Sequence, residues 1–225
     1  MNFKKHNIEP FCRQIPEKKI IWFFLIFYSV GLLLFSFEAS RSWFFLITPF
    51  SLLLVTVLIL CYHQGFRSKT ILAFALVFVI SFLVEFAGVN TGKLFGNYMY
   101  LSALGPKIGN VPLLIGVNWI LLVYSSNSIM TYFTNNPALK IAGAAGLMVL
   151  YDIVLEMAAP VMQMWSFHGS FPPLKNFLVW LVLALFFHGL FYIMKVETKN
   201  RPARWLFLIQ FVFFMLILIT ENLLR

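Results

Sequence analysis

The sequence predicts an all-α fold, a polytopic membrane bundle of about seven transmembrane helices. Of its 225 residues, 61% are hydrophobic and 11% are charged, whereas about a quarter of the residues in a soluble domain are charged. A helix needs about twenty apolar residues to cross a bilayer, and seven such runs follow one another along the chain. No segment has the alternating pattern of a β-barrel, so no strands are expected.

The seven runs use most of the length and leave no room for a second folded domain. The predicted spans are 20–38, 43–62, 70–88, 111–133, 139–160, 176–194 and 204–222. The first run is too long for the apolar core of a secretory signal peptide and lacks a small-residue cleavage site, so we expect it to remain as a span. We therefore predict one integral-membrane domain over residues 1–225, with a basic cytoplasmic tail at 1–19.

The distribution of lysine and arginine predicts a cytoplasmic amino terminus. Cytoplasmic segments carry an excess of these residues, and this orientation puts 12 of the 17 on the inner side. The net charge of +9 is then explained by membrane orientation, and no nucleic acid partner is expected. We predict a multi-pass protein of the cell membrane.

Three carboxylates fall inside predicted spans. Glu85 lies in the third span, and Asp152 and Glu156 lie in the fifth. An ionised side chain at a helix centre costs about 3 kcal/mol, and such residues usually face the bundle interior and mark function. Both spans run outward, and residues four apart share a helix face, so we expect the three carboxylates to converge near the outer surface. The other five acidic residues fall in predicted tails or loops: Glu9, Glu17, Glu38, Glu197 and Glu221.

Two interpretations of these carboxylates are open. Burial and mutual repulsion favour a protonated carboxyl group, which is what a general acid needs. Alternatively, the carboxylates pair with Lys93, Lys107 or Lys175 and serve only to hold helices together.

The region 81–181 is predicted to form the site. Between 81 and 119 the chain crosses a polar bend that is rich in glycine and tyrosine. Tyrosines and tryptophans near the outer loops could line a pocket whose π faces stabilise a cation, although such residues also form ordinary interfacial belts. These aromatic residues are Tyr98, Tyr100, Trp119, Trp165 and Trp180.

The absence of several known motifs from the sequence argues against some classes of membrane protein. Membrane prenyltransferases need two aspartate-rich clusters, whereas this chain has one pair, Asp152 and Glu156. A retinal-binding pump needs a lysine in its last span, and residues 205–222 contain none. Four scattered histidines cannot supply a diiron centre. We expect acid–base chemistry on an apolar substrate, with no metal and no cofactor.

The order and spacing of residues in 81–181 resemble those of a known family. The pattern is Glu85, Gly88, Thr91, Gly92, Phe95, Gly96, Tyr98, Tyr100, Leu104, Gly105, Pro106, Gly109, Val111, Pro112, Gly116, Trp119, Asp152, Glu156, Trp165, Pro173, Asn176, Phe177 and Trp180. It resembles the membrane carotenoid biosynthesis proteins that include bisanhydrobacterioruberin hydratase and the CruF-type carotenoid hydratases.

This resemblance implies a carotenoid hydratase of the hydro-lyase class. Such an enzyme adds water to the terminal double bond of an acyclic carotenoid and gives a tertiary alcohol without a cofactor. Asp152 or Glu156 would protonate the alkene, the other would position water, and Glu85 would orient them. The expected partners are the carotenoid within the bilayer, membrane lipid and other carotenoid enzymes. Substrate contacts are predicted at Tyr98, Tyr100, Asn118, Trp119, Trp165, Asn176 and Trp180.

Three other functions remain open at this stage. A lycopene-type cyclase would use the same cation but close a ring instead of adding water. A small proton-coupled transporter would use buried carboxylates as a relay, although the two corresponding broken halves typical of transporters are not evident. A non-catalytic scaffold for carotenoid enzymes would leave the buried carboxylates without a task.

Overall fold

The computed structural model describes residues 14–169 and 171–224, and this part of the chain forms a bundle of seven helices. Each helix is long and apolar enough to cross a membrane, which confirms the predicted all-α polytopic fold. The helices are α1 (Glu17–Ser36), α2 (Glu38–Cys61), α3 (Ser68–Thr91), α4 (Leu114–Phe133), α5 (Pro137–Val161), α6 (Leu174–Ile193) and α7 (Arg201–Leu224). Most of the predicted tail, including Glu9, lies outside the described residues.

The turn between α1 and α2 is tighter than predicted. α2 begins at Glu38, so only Phe37 separates it from α1, whereas we expected a loop over residues 39–42. The expectation that Glu17, Glu38 and Glu221 lie in loops or tails was wrong, because all three are helical. Arg41 Nη1 lies 3.3 Å from Glu221 Oε2, and this ion pair allows charged residues to lie within the end turns of α2 and α7.

The central helix of the bundle is α4. It contacts α2, α3, α5, α6 and α7. Within its apolar membrane-spanning segment, 67% of the residues are buried inside the protein, compared with 17% for α1. α4 also has the lowest hydropathy of the seven helices. Because protein surrounds it, polar side chains on α4 find partners on neighbouring segments; Ser128, for example, donates to the Asn200 carbonyl at 2.7 Å.

Two small antiparallel sheets join the loops at one end of the bundle. β1 (Tyr98–Tyr100) pairs with β4 (Trp165–Phe167), and β2 (Lys107–Ile108) pairs with β3 (Val111–Pro112). The expectation of no strands was therefore wrong. The pairing of β1 with β4 joins the loop after α3 to the loop after α5, and these two loops cover the three carboxylates.

Asn200 joins three segments at the opposite end of the bundle. Its Oδ1 accepts a hydrogen bond from the Ala203 amide at 3.0 Å and caps the start of α7. Its Nδ2 donates to the Ile59 carbonyl at 2.7 Å and to the Tyr124 hydroxyl at 3.2 Å. Because Asn200 is buried, water cannot replace these bonds.

We predict that Asn200→Ala lowers the free energy of unfolding by about 2–3 kcal/mol, because a cap is lost and buried partners lose their hydrogen bonds. Thermal unfolding in detergent measures the effect. The matched control is Asn136→Ala, because Asn136 caps α5 through the amides of Ala138 and Leu139 but is exposed. That change should cost about 1 kcal/mol. Equal losses in the two variants would contradict a special role for Asn200.

Candidate active site

Glu85 is buried on α3 and accepts hydrogen bonds from three aromatic side chains. The hydroxyls of Tyr98 and Tyr100 lie 2.5 and 2.8 Å from its Oε2, and Trp119 Nε1 lies 3.2 Å from its Oε1. Alternate residues of a strand share a face, so both tyrosines of β1 point towards the same carboxylate. Three donors favour the ionised form of a carboxylate, and they offset part of the cost of burying its charge.

Glycine allows the loop after α3 to fold back over Glu85. A Cβ atom on Gly88 would lie 2.5 Å from the ring of Phe95 and 3.4 Å from the Tyr98 hydroxyl. Gly92 ends α3 in the left-handed conformation, with φ of 64°, which glycine adopts without steric penalty. These two glycines bring β1 back to the carboxylate.

Burial and the adjacent Glu85 carboxylate raise the pKa of both Tyr98 and Tyr100 well above the ordinary phenol value of 10.0. The two hydroxyls therefore stay protonated at any physiological pH. They act as fixed hydrogen-bond donors to Glu85 and do not compete with it for a negative charge.

Asp152 and Glu156 lie one turn apart on α5 and share a partner on α6. Asn176 Nδ2 donates to Glu156 Oε1 at 3.0 Å and to Asp152 Oδ2 at 3.3 Å. Trp165 Nε1, on β4, donates to Glu156 Oε2 at 2.8 Å. The remaining oxygen of Asp152, Oδ1, is buried and has no hydrogen-bond partner. Of the three carboxyl groups, Asp152 thus has the least support for an ionised form.

A small chamber separates Glu85 from Glu156. Trp180 lines the chamber and stacks on Trp119 with 4.1 Å between ring centroids. Tyr98 stacks on Phe167 at 5.1 Å. The chamber walls are Glu85, Phe95, Tyr98, Tyr100, Ile115, Glu156, Trp165, Phe167, Asn176 and Trp180. The chamber therefore presents two carboxyl groups to a space otherwise enclosed mostly by aromatic rings.

A larger apolar cavity lies beside the chamber. Trp165 lines both spaces and forms the wall between them. The cavity is bounded by α1, α2, α4, α5, α7 and the covering loops, through residues that include Phe27, Tyr28, Gly31, Phe44, Thr48, Leu104, Asn118, Leu155, Trp165, Gln210 and Phe213. Its apolar walls, which come from several helices, suit a hydrocarbon guest.

Residues 44–224 match the profile of a family described as carotenoid biosynthesis protein. This match covers α3 to α7, three quarters of α2, and every residue of the small chamber. The chain belongs to the carotenoid biosynthesis protein family. The predicted resemblance to membrane carotenoid biosynthesis proteins is thus confirmed. No curated protein and no solved structure matches the chain.

This carotenoid biosynthesis protein brings the three predicted carboxylates into one neighbourhood. Glu85 and Glu156 face the chamber, whereas Asp152 reaches it through Asn176. The seven predicted substrate contacts are distributed over both spaces. Tyr98, Tyr100, Trp165, Asn176 and Trp180 line the chamber, Trp119 supports Glu85 from behind, and Asn118 faces the larger cavity.

The lysines of the covering loops bind backbone carbonyls, not the carboxylates. Lys107 Nζ donates to the Tyr100 carbonyl at 2.6 Å, and Lys175 Nζ donates to the Lys93 carbonyl. Within residues 14–169 and 171–224, no lysine lies within ion-pair distance of Glu85, Asp152 or Glu156. The structural alternative, in which lysines neutralise the carboxylates, was therefore wrong.

Sequence reasoning missed several residues that shape the two spaces. Phe167 and Ile115 line the chamber, and no pattern in the sequence singled them out. Phe95 was part of the quoted pattern, but it was not predicted as a wall of the site. Tyr28 and Gln210, which line the larger cavity and hydrogen-bond to each other at 2.7 Å, were also missed. A glutamine in the middle of an apolar span was the available signal for Gln210.

Proposed function

We propose that this protein hydrates the terminal double bond of an acyclic carotenoid within the membrane. The observation that carries the proposal is the small aromatic chamber, in which Glu85 and Glu156 face one space beside a larger apolar cavity. The family gives the role in carotenoid biosynthesis, and the chamber supports the finer assignment of acid-catalysed addition of water.

The two adjoining spaces suit the two parts of such a substrate. The small chamber carries the carboxyl groups that the reacting end must meet, and it can hold a water molecule beside them. It is too small for a conjugated chain. We assign the polyene to the larger cavity, with its end group passing Trp165 to reach the carboxyl groups.

Glu156 is the proton donor in this proposal, because it is the member of the α5 pair that lines the chamber. Its proton passes to the alkene carbon that bears a hydrogen, and the double-bond electrons form the new C–H bond. The neighbouring carbon becomes a tertiary cation. The nearby Asp152 helps to keep one of the two carboxyl groups protonated, because two buried carboxylates one turn apart repel each other when both are ionised.

Stabilisation of the cation falls to Glu85 and to the aromatic walls. Trp180, Tyr98 and Trp165 offer π faces that attract a positive charge. In this proposal Glu85 is ionised, a form that its three donors favour, and it supplies negative charge where positive charge develops. A water molecule held at Glu85 then attacks the cation. Its oxygen forms the C–O bond, and its extra proton returns through the carboxylates to Glu156.

Expression in a cell that makes lycopene or a longer acyclic carotenoid tests the proposal. Hydration predicts pigments whose mass has increased by one or two water molecules and which elute as more polar compounds. The control is the variant Glu38→Gln, which changes an exposed carboxylate of α2. It should give the same products as the original chain.

Two results would overturn the hydratase assignment. A product of unchanged mass with a cyclised end group would mean that the cation closes a ring, as in a cyclase. Unchanged pigment, with the protein present in the membrane at normal levels, would remove the assignment of acid chemistry altogether.

A further inference from the structure

A third cavity, distinct from the two already described, lies at the other end of the bundle. Along α4, Trp119 lies beside Glu85, whereas Asn127 lines this cavity. Along α6, Asn176 contacts the carboxyl groups, whereas His188 lines this cavity. The cavity is thus separated from the carboxylates by several helical turns, and it lies at the end that the lysine and arginine count predicts to be cytoplasmic.

Positive charge lines this cavity. Lys140 from α5 and Lys195 from the end of α6 both contribute to its wall. Among the described residues, no carboxylate lies within ion-pair distance of either ammonium group. Glu197 also lines the cavity, and its Oε1 accepts a hydrogen bond from the Lys199 amide at 3.2 Å. The wall therefore carries two positive charges and one negative charge.

Lys195 has an unfavourable backbone conformation. Its φ is +53°, a left-handed conformation that costs a residue with a Cβ atom about 1–2 kcal/mol. The turn ends α6, with the Val196 amide donating to the Phe191 carbonyl at 3.0 Å, and glycine is the residue that such turns favour. A lysine here gives up stability and places an ammonium group at the cavity, and strain of this kind is often associated with function.

The floor of the cavity is polar and rigid. His188 and Asn127 are both buried, and their side chains hydrogen-bond at 3.1 Å. Asn127 Oδ1 also accepts a hydrogen bond from Thr198 at 2.8 Å. Groups fixed in this way lose little freedom when a polar ligand binds.

We propose that this cavity binds a phosphate group, held by Lys140 and Lys195 over the floor formed by Asn127 and His188. Basic pockets between transmembrane helices on the cytoplasmic side bind anionic lipid headgroups. Exposed Tyr192 lines the cavity and is followed by exposed Ile193, so acyl chains could lie beside a bound headgroup. The shared chemistry is the phosphate, whether it belongs to a lipid or is free.

Thermal stability in nanodiscs tests the proposal with the full chain. We compare nanodiscs of phosphatidylcholine with nanodiscs containing phosphatidylglycerol, and separately titrate inorganic phosphate in neutral detergent. Phosphatidylglycerol should raise the unfolding temperature, and native mass spectrometry should detect retained anionic lipid. Lys140→Gln and Lys195→Gly should each weaken binding about five-fold.

Lys195→Gly separates binding from folding. Because glycine relieves the left-handed strain, this variant should be at least as stable as the original chain without anionic lipid. The matched control is Lys69→Gln, which removes one exposed lysine at the start of α3 on the same side and should leave binding unchanged.

The possible results distinguish a general phosphate site from a lipid headgroup site. Stabilisation by phosphatidylglycerol and by inorganic phosphate, lost in the cavity variants, supports a phosphate site open to both sources. Stabilisation by the lipid alone, also lost in those variants, supports a headgroup site that needs acyl chains. Equal binding by all variants, or binding by none, overturns the proposal.

Discussion

Replacing Glu156 with glutamine should lower the yield of hydrated carotenoid by about 100-fold to 10,000-fold, the usual contribution of general acid catalysis. Glutamine has nearly the same shape but cannot donate a proton to carbon. The larger cavity is unchanged, so the unreacted carotenoid should still copurify with the protein. Pigment analysis of the purified variant measures both quantities at once.

The comparison for this change is Glu38→Gln, the same chemical substitution at an exposed site, which should keep full activity. Thermal unfolding of Glu156→Gln shows whether the loss of one hydrogen bond from Trp165 or Asn176 disturbs the fold. Full hydration by a folded Glu156→Gln protein would be incompatible with Glu156 as the acid and would move the role to Asp152 or Glu85.

Filling the larger cavity should abolish carotenoid binding, whereas Glu156→Gln should leave it intact. Gly31 lines this cavity on α1, and a Cβ atom there would meet the Phe213 ring at an ordinary 3.7 Å. In Gly31→Phe the new ring would occupy space that we assign to the polyene. Loss of about 100 Å² of apolar contact would cost about 2.5 kcal/mol, which corresponds to about 70-fold weaker binding. Carotenoid should no longer copurify, although the carboxyl groups are untouched.

Gly189→Phe is the matched control for the cavity variant. Gly189 lies on α6, and a Cβ atom there would meet open space, so the same side chain can be added without entering either space. Pigment content measured by absorbance should fall only in Gly31→Phe. If both variants retain the pigment equally, the polyene does not occupy the larger cavity.

The carboxylates could be predicted from sequence because charge is costly inside an apolar span. Glu85, Asp152 and Glu156 stand out for that reason alone, and the spacing of four residues places the latter two on one face. The direction of the spans then puts all three near the same loops. The structure adds the bridge through Asn176 and the three donors to Glu85, which no spacing rule identifies.

The short strands could not be predicted, because two or three residues are too few to show an alternating pattern. Their effect on the site is nevertheless direct, since β1 brings both Tyr98 and Tyr100 to Glu85. The sequence also mispredicted the ends of α2 and α7, where charged residues pair between helices. Arg41 and Glu221 read individually as loop residues, whereas together they form an ion pair between α2 and α7.

The larger cavity depends on contacts between distant segments and had no signature in the sequence. Its walls include α1, yet both the quoted pattern and the family match begin after that helix. Phe27, Tyr28 and Gly31 are ordinary residues of an apolar span when read alone. Only the packing of α1 against α2 and α7 shows that they enclose a space beside the chamber.

The burial of α4 also affects how the chain enters the membrane during synthesis. A segment that carries Ser125, Ser126, Asn127 and Ser128 gains less from lipid than its more apolar neighbours do. Its stable integration therefore depends on α3, which is made before it, and on α5, which is made after it. We therefore expect the helical pair α3–α4, which carries Glu85 and Trp119, to assemble stably only once α5 has arrived with Asp152 and Glu156. The three carboxyl groups would then come together late in synthesis.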